Sequence, residues 1–311
     1  MNNDESKTPH ILIVGGSGFI GQHIVRRALD LGWQVTSIGL TLPENQSDES
    51  TNLNYVEADI TDRNSLQEVL SGVSFEFVVN CGGYIDHLLF KHGGRKSIDA
   101  HFLGVLNLIE ILNRDLLKAF INIGSSDEYG NLPAPQKESL REASISPYSQ
   151  AKVATTHFLQ MLWRTEKFPA TILRLYLTYG PGQDPKRFLP QIIQGCNEGL
   201  KFPTSKGEQI RDFCFIRDVV DAIFITFYST QARGEVINIA SGIPISIRTV
   251  IDKTVHIIGK GEAGYGEIPY RIGENMTLYA DVSKAKSILG WSPKVSFDEG
   301  LQNTIRWYRD V

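Results

Sequence analysis

The sequence predicts an α/β protein, a doubly wound parallel sheet with helices on both faces and a smaller C-terminal domain. Three observations lead there. Short apolar runs bounded by turn residues alternate with amphipathic helical stretches through about residue 180. A glycine cluster lies directly between the first such run and the first helical stretch. After Pro181 the alternation gives way to punctuation at Gly195, Gly199, Pro203 and Gly207.

Each element follows from its pattern. Ile11-Leu12-Ile13-Val14 is short, apolar and β-branched, as a strand buried on both faces must be. Ile20, Ile24, Val25 and Ala28 then recur at helical spacing, Gly32 closes that helix, and 34–38 reads as a second strand. A β-helix-β unit of this length requires parallel strands joined by a right-handed crossover. Further strands are expected at 54–57, 75–80, 119–123 and 170–175, and helices at 64–70, 96–113 and 148–166. The first domain spans 8–180, with 215–240 (a helix at 219–227 and a strand at 236–240) returning to it. Residues 181–311 mainly form the second domain, and 2–8 read as a disordered polar lead-in.

Composition narrows the function. A net charge of -4 with dispersed positives gives no footprint for nucleic acid or an anionic membrane. Cys81, Cys196 and Cys214 lie too far apart for a zinc spacing or a disulfide framework, so reduced structural thiols and no metal site are expected. The polar N-terminus and the lack of a run of about 20 apolar residues point to a cytoplasmic protein.

Gly15, Gly18 and Gly21 sit where a dinucleotide would be bound. In that role Gly15 makes the tight turn, Gly18 admits the pyrophosphate to the backbone, and Gly21 lets helix pack on strand, with Ser17, Phe19 and Ile20 between them. The helix N-terminus adds partial positive charge. The second strand ends Ser37-Ile38-Gly39-Leu40-Thr41, without the acidic residue that would hold the ribose of NAD, which tilts the expectation toward NADP. Asp59 and Ile60 are candidates for adenine contact, with a helix-capping Asp as the alternative.

Tyr148 and Lys152 form Y-x-x-x-K on one helix face. A phenol with pKa near 10 becomes a usable acid-base group only when a cation such as the lysine stabilises its anion. Ser125 and Ser126 follow a buried strand, where a hydroxyl can steady a substrate oxygen.

GGSGFIG at 15–21, GSSDEYG at 124–130, SPYSQAK at 146–152, YGPGQ at 179–183, GEQIRDF at 207–213 and GWSP at 290–293 together resemble the extended short-chain dehydrogenases that modify nucleotide sugars. The resemblance covers nearly the whole chain. It implies a Rossmann domain carrying NAD or NADP and a C-terminal nucleotide-sugar-binding domain. It assigns substrate orientation to Ser125, acid-base work to Tyr148, the nicotinamide ribose to Lys152, and the nucleotide phosphates to Arg211 and Arg271. Arg187 is a further substrate-binding candidate, with a solvated surface arginine as the alternative. The chain departs from the family's pattern at Leu177, where an asparagine is usual, at His101, again in place of asparagine, and at Asn80-Cys81-Gly82-Gly83, in place of His-x-Ala-Ala.

The resemblance leaves three reactions. A dehydratase carries Thr-Asp-Glu or Thr-Ser-Glu where this chain has Ser125-Ser126-Asp127, so Ser126 and Asp127 are substrate-binding candidates. Asp127 and Glu128 read equally well as a solvated loop pair. A 4-epimerase retains its NAD, whereas a reductase exchanges NAD(P)H. GSSDEYG resembles reductases of GDP-4-keto-6-deoxymannose, and GEQIRDF resembles synthases of CDP-linked dideoxyhexoses. The expectation is therefore an NDP-4-keto-6-deoxyhexose reductase, with epimerase or 4,6-dehydratase as alternatives and a non-catalytic NAD(P)-sensing or scaffold protein as the reading of another class. A homodimer through the two long helices is implied, with Leu103, Leu106, Phe158 and Leu162 as contact candidates or core residues.

Overall fold

The computed structural model describes residues 8–42, 51–270 and 273–310. The lead-in before Thr8 and the candidate Arg271 lie outside the described residues. The chain forms two compact units, one of Met1–Glu128, Glu142–Arg174 and Ile223–Ile237, the other of Tyr129–Arg141, Leu175–Ala222 and Asn238–Val311. Beside the boundary expected at residue 180, the second unit thus begins at Leu175 and also takes the loop after the GSSDEYG turn.

In chain order the first unit runs β1 (His10–Val14), α1 (Phe19–Asp30), β2 (Gln34–Gly39), β3 (Leu53–Glu57), α2 (Arg63–Leu70) and β4 (Phe77–Asn80). It continues through α3 (Arg95–Ile98), α4 (Gly104–Ile111), β5 (Ala119–Ser125), α5 (Pro147–Glu166) and β6 (Ala170–Leu175). The single helix expected at 96–113 is thus broken by a π-helical turn at Asp99–Leu103. Such insertions concentrate at functional sites, and this one carries His101. Asp62, not Asp59, caps α2, accepting from the amides of Asn64 at 2.9 Å and Ser65 at 3.3 Å.

The rest of the chain gives β7 (Leu177–Tyr179), α6 (Phe188–Asn197), β8 (Lys201–Thr204), β9 (Ile210–Phe215), α7 (Ile216–Tyr228) and β10 (Val236–Ile239). After them come β11 (Pro244–Ser246), α8 (Ile247–Ile258), β12 (Glu262–Tyr265), β13 (Thr277–Leu278), α9 (Ser283–Leu289) and α10 (Phe297–Asp310). The region read as irregular after Pro181 therefore holds, among the described residues, short strands that single-sequence periodicity does not register and the full-length helices α7, α8 and α10.

The large sheet has the order β10-β6-β5-β4-β1-β2-β3. Its β1–β2, β1–β4, β2–β3 and β4–β5 pairs are parallel. The order reverses between β1 and β4, where open α/β sheets leave a ligand crevice at the strands' carboxyl ends. Both faces are covered. Leu12, Val78, Phe120 and Ile172 share a cluster with Leu108, Leu159 and Leu162. Trp33 stacks on Phe77 at 5.0 Å, and Phe77 meets Phe227 at 4.7 Å. Each such side chain contributes about 1.5–3 kcal/mol by leaving water. Leu162 is therefore core, whereas Leu103 is exposed and Phe158 edges Phe102 at 6.1 Å.

In the second unit β9 is central, flanked by β11 and β13 and also paired with β7. Asp212, fully buried on β9, accepts from the Ser241 amide and hydroxyl at 2.7 and 2.6 Å, from Gly242 at 2.9 Å and from Ala280 at 3.2 Å. The GWSP segment closes α9, with Gly290 left-handed at φ 62° and Trp291 donating its indole N–H to the Asp218 carbonyl at 3.1 Å. The three cysteines are free thiols. Among the described residues no helix is long and apolar enough to cross a membrane, and no His, Cys, Asp and Glu cluster is placed to hold a metal.

Candidate active site

The glycine loop crosses the carboxyl end of β1 at the point where the strand order reverses. A Cβ on Gly15, whose φ is +79°, would lie 2.9 Å from Gly82 Cα, so β1 and the loop after β4 touch backbone to backbone. A Cβ on Gly21 would lie 2.1 Å from the Gly15 carbonyl oxygen, and one on Gly16 would lie 2.1 Å from Ser37 Oγ. The fold itself demands these glycines. Gly18 differs: with φ -75° and ψ 170° it is the N-cap of α1, and a Cβ there would meet only Gly15 O within 4 Å, at 3.2 Å. No side chain caps this helix, and no acidic residue occupies its first turn. An uncapped helix N-terminus beside a residue with no side chain fits a pyrophosphate.

The other cofactor candidates fall nearby in sequence with different surroundings. Asp59 accepts from the amide and the hydroxyl of Thr61, both at 2.8 Å. The Ile60 side chain is core, packed where a Cβ on Gly104 would come within 2.6 Å. Ser17 and Leu40 are exposed, and Phe19 meets His23 edge-on at 5.6 Å.

The start of α5 explains the SPYS run. Ser146 is the N-cap and Pro147 the first helical residue, and the hydroxyls of Ser146 and Ser149 form a reciprocal capping box. Tyr148 is thereby fixed in the first turn, and Lys152 one turn on. Lys152 donates from Nζ to the Ile123 carbonyl at 2.7 Å and stands 5.9 Å from the Tyr148 ring centroid. Burial pulls the Lys152 ammonium down to about 8, with Glu128 and Cys81 acting in the opposite sense. Ser125, at the end of β5, accepts the Asp127 amide on Oγ at 3.1 Å. The fold thus brings Ser125, Tyr148 and Lys152 into one unit, within two neighbouring elements.

Two histidines flank Tyr148. His101, from the π-turn, meets its ring edge-on at 5.0 Å, and His87 at 5.9 Å. His101 Nε2 lies 2.7 Å from the Tyr84 carbonyl. A carbonyl only accepts, so Nε2 carries the proton and Nδ1 is the acceptor. Burial, with the Lys152 charge adding, holds this imidazole down to about 3, so it is neutral at neutral pH. The unusual Asn80-Cys81-Gly82-Gly83 run makes sense around it. A Cβ on Gly83 would come 2.3 Å from the His101 ring, Asn80 donates to Asn122 at 2.8 Å, and the Cys81 thiol is pushed up to about 12 by burial.

The Asp127-Glu128 pair is not a solvated pair. Asp127 is half-buried, 3.7 Å from His87, while Glu128 is fully buried against Arg174 at 2.8 Å. Ser126 is buried. Sequence reasoning missed Arg174, Thr156 and His87. Only the tertiary pairing marks them, although an acid between a buried strand and a buried Tyr-Gly was a signal for Glu128.

In the second unit, Arg211 is mostly buried and held by the Glu274 carboxylate, and it also donates to the carbonyl of Ile210 at 2.9 Å. Arg187 is an exposed N-cap of α6, and Leu177 is exposed on β7.

A doubly wound sheet with a bare helix N-terminus at its switch point and a Ser-Tyr-Lys group beside it defines a dinucleotide-dependent oxidoreductase of the short-chain type. The model of the NAD dependent epimerase/dehydratase family matches residues 11–240, and the chain belongs to that family. A putative UDP-glucose 4-epimerase of Methanocaldococcus jannaschii is 28% identical over 309 residues, which cover 96% of this chain and 98% of that protein. A dTDP-glucose 4,6-dehydratase of Streptomyces niveus is 28% identical over 316 residues, covering 96% and 93%. The structure of UDP-glucose 4-epimerase from Thermotoga maritima with UDP-glucose superposes with a TM-score of 0.89 at 28% identity, covering 97% of this chain and 99% of that one. The protein is thus an NAD(P)-dependent enzyme of the extended short-chain type that acts on nucleotide sugars.

Proposed function

We propose that this enzyme reduces the 4-keto group of an NDP-4-keto-6-deoxyhexose. The observation that carries this reading is the state of the side chains after β5. Elimination of water needs both an acid and a base beyond the tyrosine. Ser125 and Asp127 stand where a dehydratase has its threonine and glutamate, Asp127 has the shorter reach, and Glu128 is locked in an ion pair. Asp127 alone is left, enough for contact with a sugar hydroxyl but not for both roles.

The backbone of Gly15–Gly21 at the α1 N-terminus would hold the pyrophosphate of a dinucleotide, which when bound would supply the hydride. Tyr148 gives its phenolic proton to the ketone oxygen, which Ser125 Oγ steadies by a hydrogen bond. The Lys152 charge stabilises the phenolate left behind and holds the nicotinamide ribose. Arg211 takes the substrate diphosphate by exchanging Glu274 for phosphate, with Arg271 as its second partner. NADP is the favoured dinucleotide because no carboxylate ends β2. A cytoplasmic homodimer is part of the same proposal, with exposed Leu103 on its contact face.

Epimerisation at C4 is the second reading, favoured by the 28% identity to UDP-glucose 4-epimerases. The test begins with the purified protein, denatured to identify any released dinucleotide. NADH and NADPH oxidation is then followed with GDP-, CDP- and dTDP-4-keto-6-deoxyhexoses. Stoichiometric oxidation supports the reductase. Retained NAD with interconversion of UDP-glucose and UDP-galactose, and no oxidation of added cofactor, replaces it with the epimerase.

A further inference from the structure

We propose that Glu128 is a positioning residue for the reaction: its buried carboxylate, gripped by Arg174, ties the turn that presents Ser125 to the helix that carries Tyr148 and Lys152. This rests on the reading of Ser125, Tyr148 and Lys152 as the reacting group.

One carboxylate ties three elements together. Glu128 Oε1 accepts the Ser125 amide at 2.9 Å. Oε2 accepts the Thr156 hydroxyl from the middle of α5 at 2.8 Å, and Arg174 Nε from β6 at 2.9 Å. Glu128 and Arg174 are both 0% exposed. The glycine of Gly-Ser-Ser is explained by the same group, because a Cβ on Gly124 would lie 2.7 Å from Glu128 Oε1. Arg174 reaches on to Glu142 at 2.5 Å, and Glu142 pairs with His157 on the α5 surface at 3.1 Å. The turn bearing Ser125 and the helix bearing Tyr148 and Lys152 are therefore bolted to one buried anion.

Stability alone is a poor reason for such a pair. Two charges removed from water cost several kcal/mol each, and apolar side chains of similar volume commonly match the net stability. What an apolar pair cannot supply is the three hydrogen bonds that Glu128 accepts from β5, α5 and β6. The titratable groups around Lys152 are Cys81 from the end of β4, His101 from the π-turn, Tyr148 one turn earlier, and Glu128. With the Cys81 thiol held up to about 12 and the His101 imidazole down to about 3, both are neutral at working pH. Glu128 acts to keep the buried ammonium charged.

The test uses the full chain carrying Glu128→Met with Arg174→Met, and separately Glu128→Gln. Two readouts are needed. One is the pH profile of kcat/KM on the nucleotide sugar that the unmodified enzyme turns over. The other, independent of turnover, is the titration of Lys152 by NMR of protein with 13Cε-labelled lysine, the resonance being assigned with Lys152→Arg. The double variant, which leaves the net charge unchanged, is expected to fold and to lose about 10-fold or more in kcat with little change in KM, while Glu128→Gln, which removes the negative charge alone, should titrate Lys152 about one pH unit lower. If the double variant does not fold, the isosteric Glu128→Gln must carry both results, the loss in kcat and the lower Lys152 midpoint. A folded double variant with kcat unchanged, or a folded Glu128→Gln with kcat and the Lys152 midpoint both unchanged, overturns the proposal, leaving Glu128 as core filling. An unmodified enzyme that titrates as described but turns over no nucleotide sugar sinks the reductase reading, and the NMR arm then decides Glu128 on its own.

Discussion

The imidazole of His101 meets the ring of Tyr148 edge-on, 5.0 Å between centroids at 80°, and is itself tied to the loop after β4 through the Tyr84 carbonyl. The π-turn is what makes the contact possible, since it rotates residue 101 inward between two otherwise ordinary helical segments. An asparagine there would be too short to fill this space.

This contact has a pH consequence. The folded-state pKa of His101 is depressed from 6.5 to about 3, mainly by burial, so its neutral form contributes stability that is fully present above pH 6.5 and is lost as pH falls toward 3. Within that window one extra proton taken up on unfolding costs about 1.4 kcal/mol per pH unit. Urea midpoints at pH 7 and pH 4.5 should fall further apart for the unmodified protein than for His101→Gln. Equal spacing would refute the assignment.

Tyr148→Phe keeps the ring against His101 and removes only the hydroxyl. Turnover should fall about 10²–10⁴-fold while dinucleotide affinity and melting temperature stay close to the original. Steady-state rates and a fluorescence titration with NADH and NADPH check both halves.

In the proposed reaction Lys152 works as a cation. With its pKa pulled down to about 8 by burial, the charged form prevails below that value and is lost as pH rises through it. The alkaline limb of kcat/KM should therefore lie near pH 8 rather than near 10.5, where an unperturbed lysine would place it. A profile flat to pH 10 would contradict this.

The glycine loop separates structural from ligand-imposed glycines. Gly21→Ala would push a methyl to 2.1 Å from the Gly15 oxygen and should lower the melting temperature by several degrees, by about 1–3 kcal/mol of overpacking. Gly18→Ala, at φ -75° with its nearest protein neighbour 3.2 Å away, should fold nearly normally yet bind dinucleotide about 10-fold or more weakly. Differential scanning fluorimetry with and without NADPH reads both.

Arg211 and Glu274 are already paired, so in the proposed binding mode a diphosphate displaces the carboxylate. Glu274→Gln should tighten nucleoside diphosphate binding about 5-fold or more, measured by calorimetry with UDP, GDP and CDP. Weaker binding would instead make Glu274 a support for the arginine.

The sequence by itself determined the strand-helix alternation, the glycine turn and the Tyr-Lys pair. Each depends on residues close along the chain, where a period of two or 3.6 and a one-turn spacing fix which side chains share a face. Gly15, Gly21, Tyr148 and Lys152 were legible for that reason, as was the apolar β1. Tertiary structure alone decided what rests on contacts between distant segments. Glu128 became a buried anion only because Arg174 arrives from β6, 46 residues away. His101 became a neutral ring against Tyr148 only because a π-turn carries it there and Gly83 after β4 leaves room for it. The same holds for Asp212, whose four donors come from segments 29 and 68 residues on. Burial and charge pairing are properties of the folded environment, so a carboxylate that reads as a loop acid in the sequence takes its chemistry from whatever the fold sets against it.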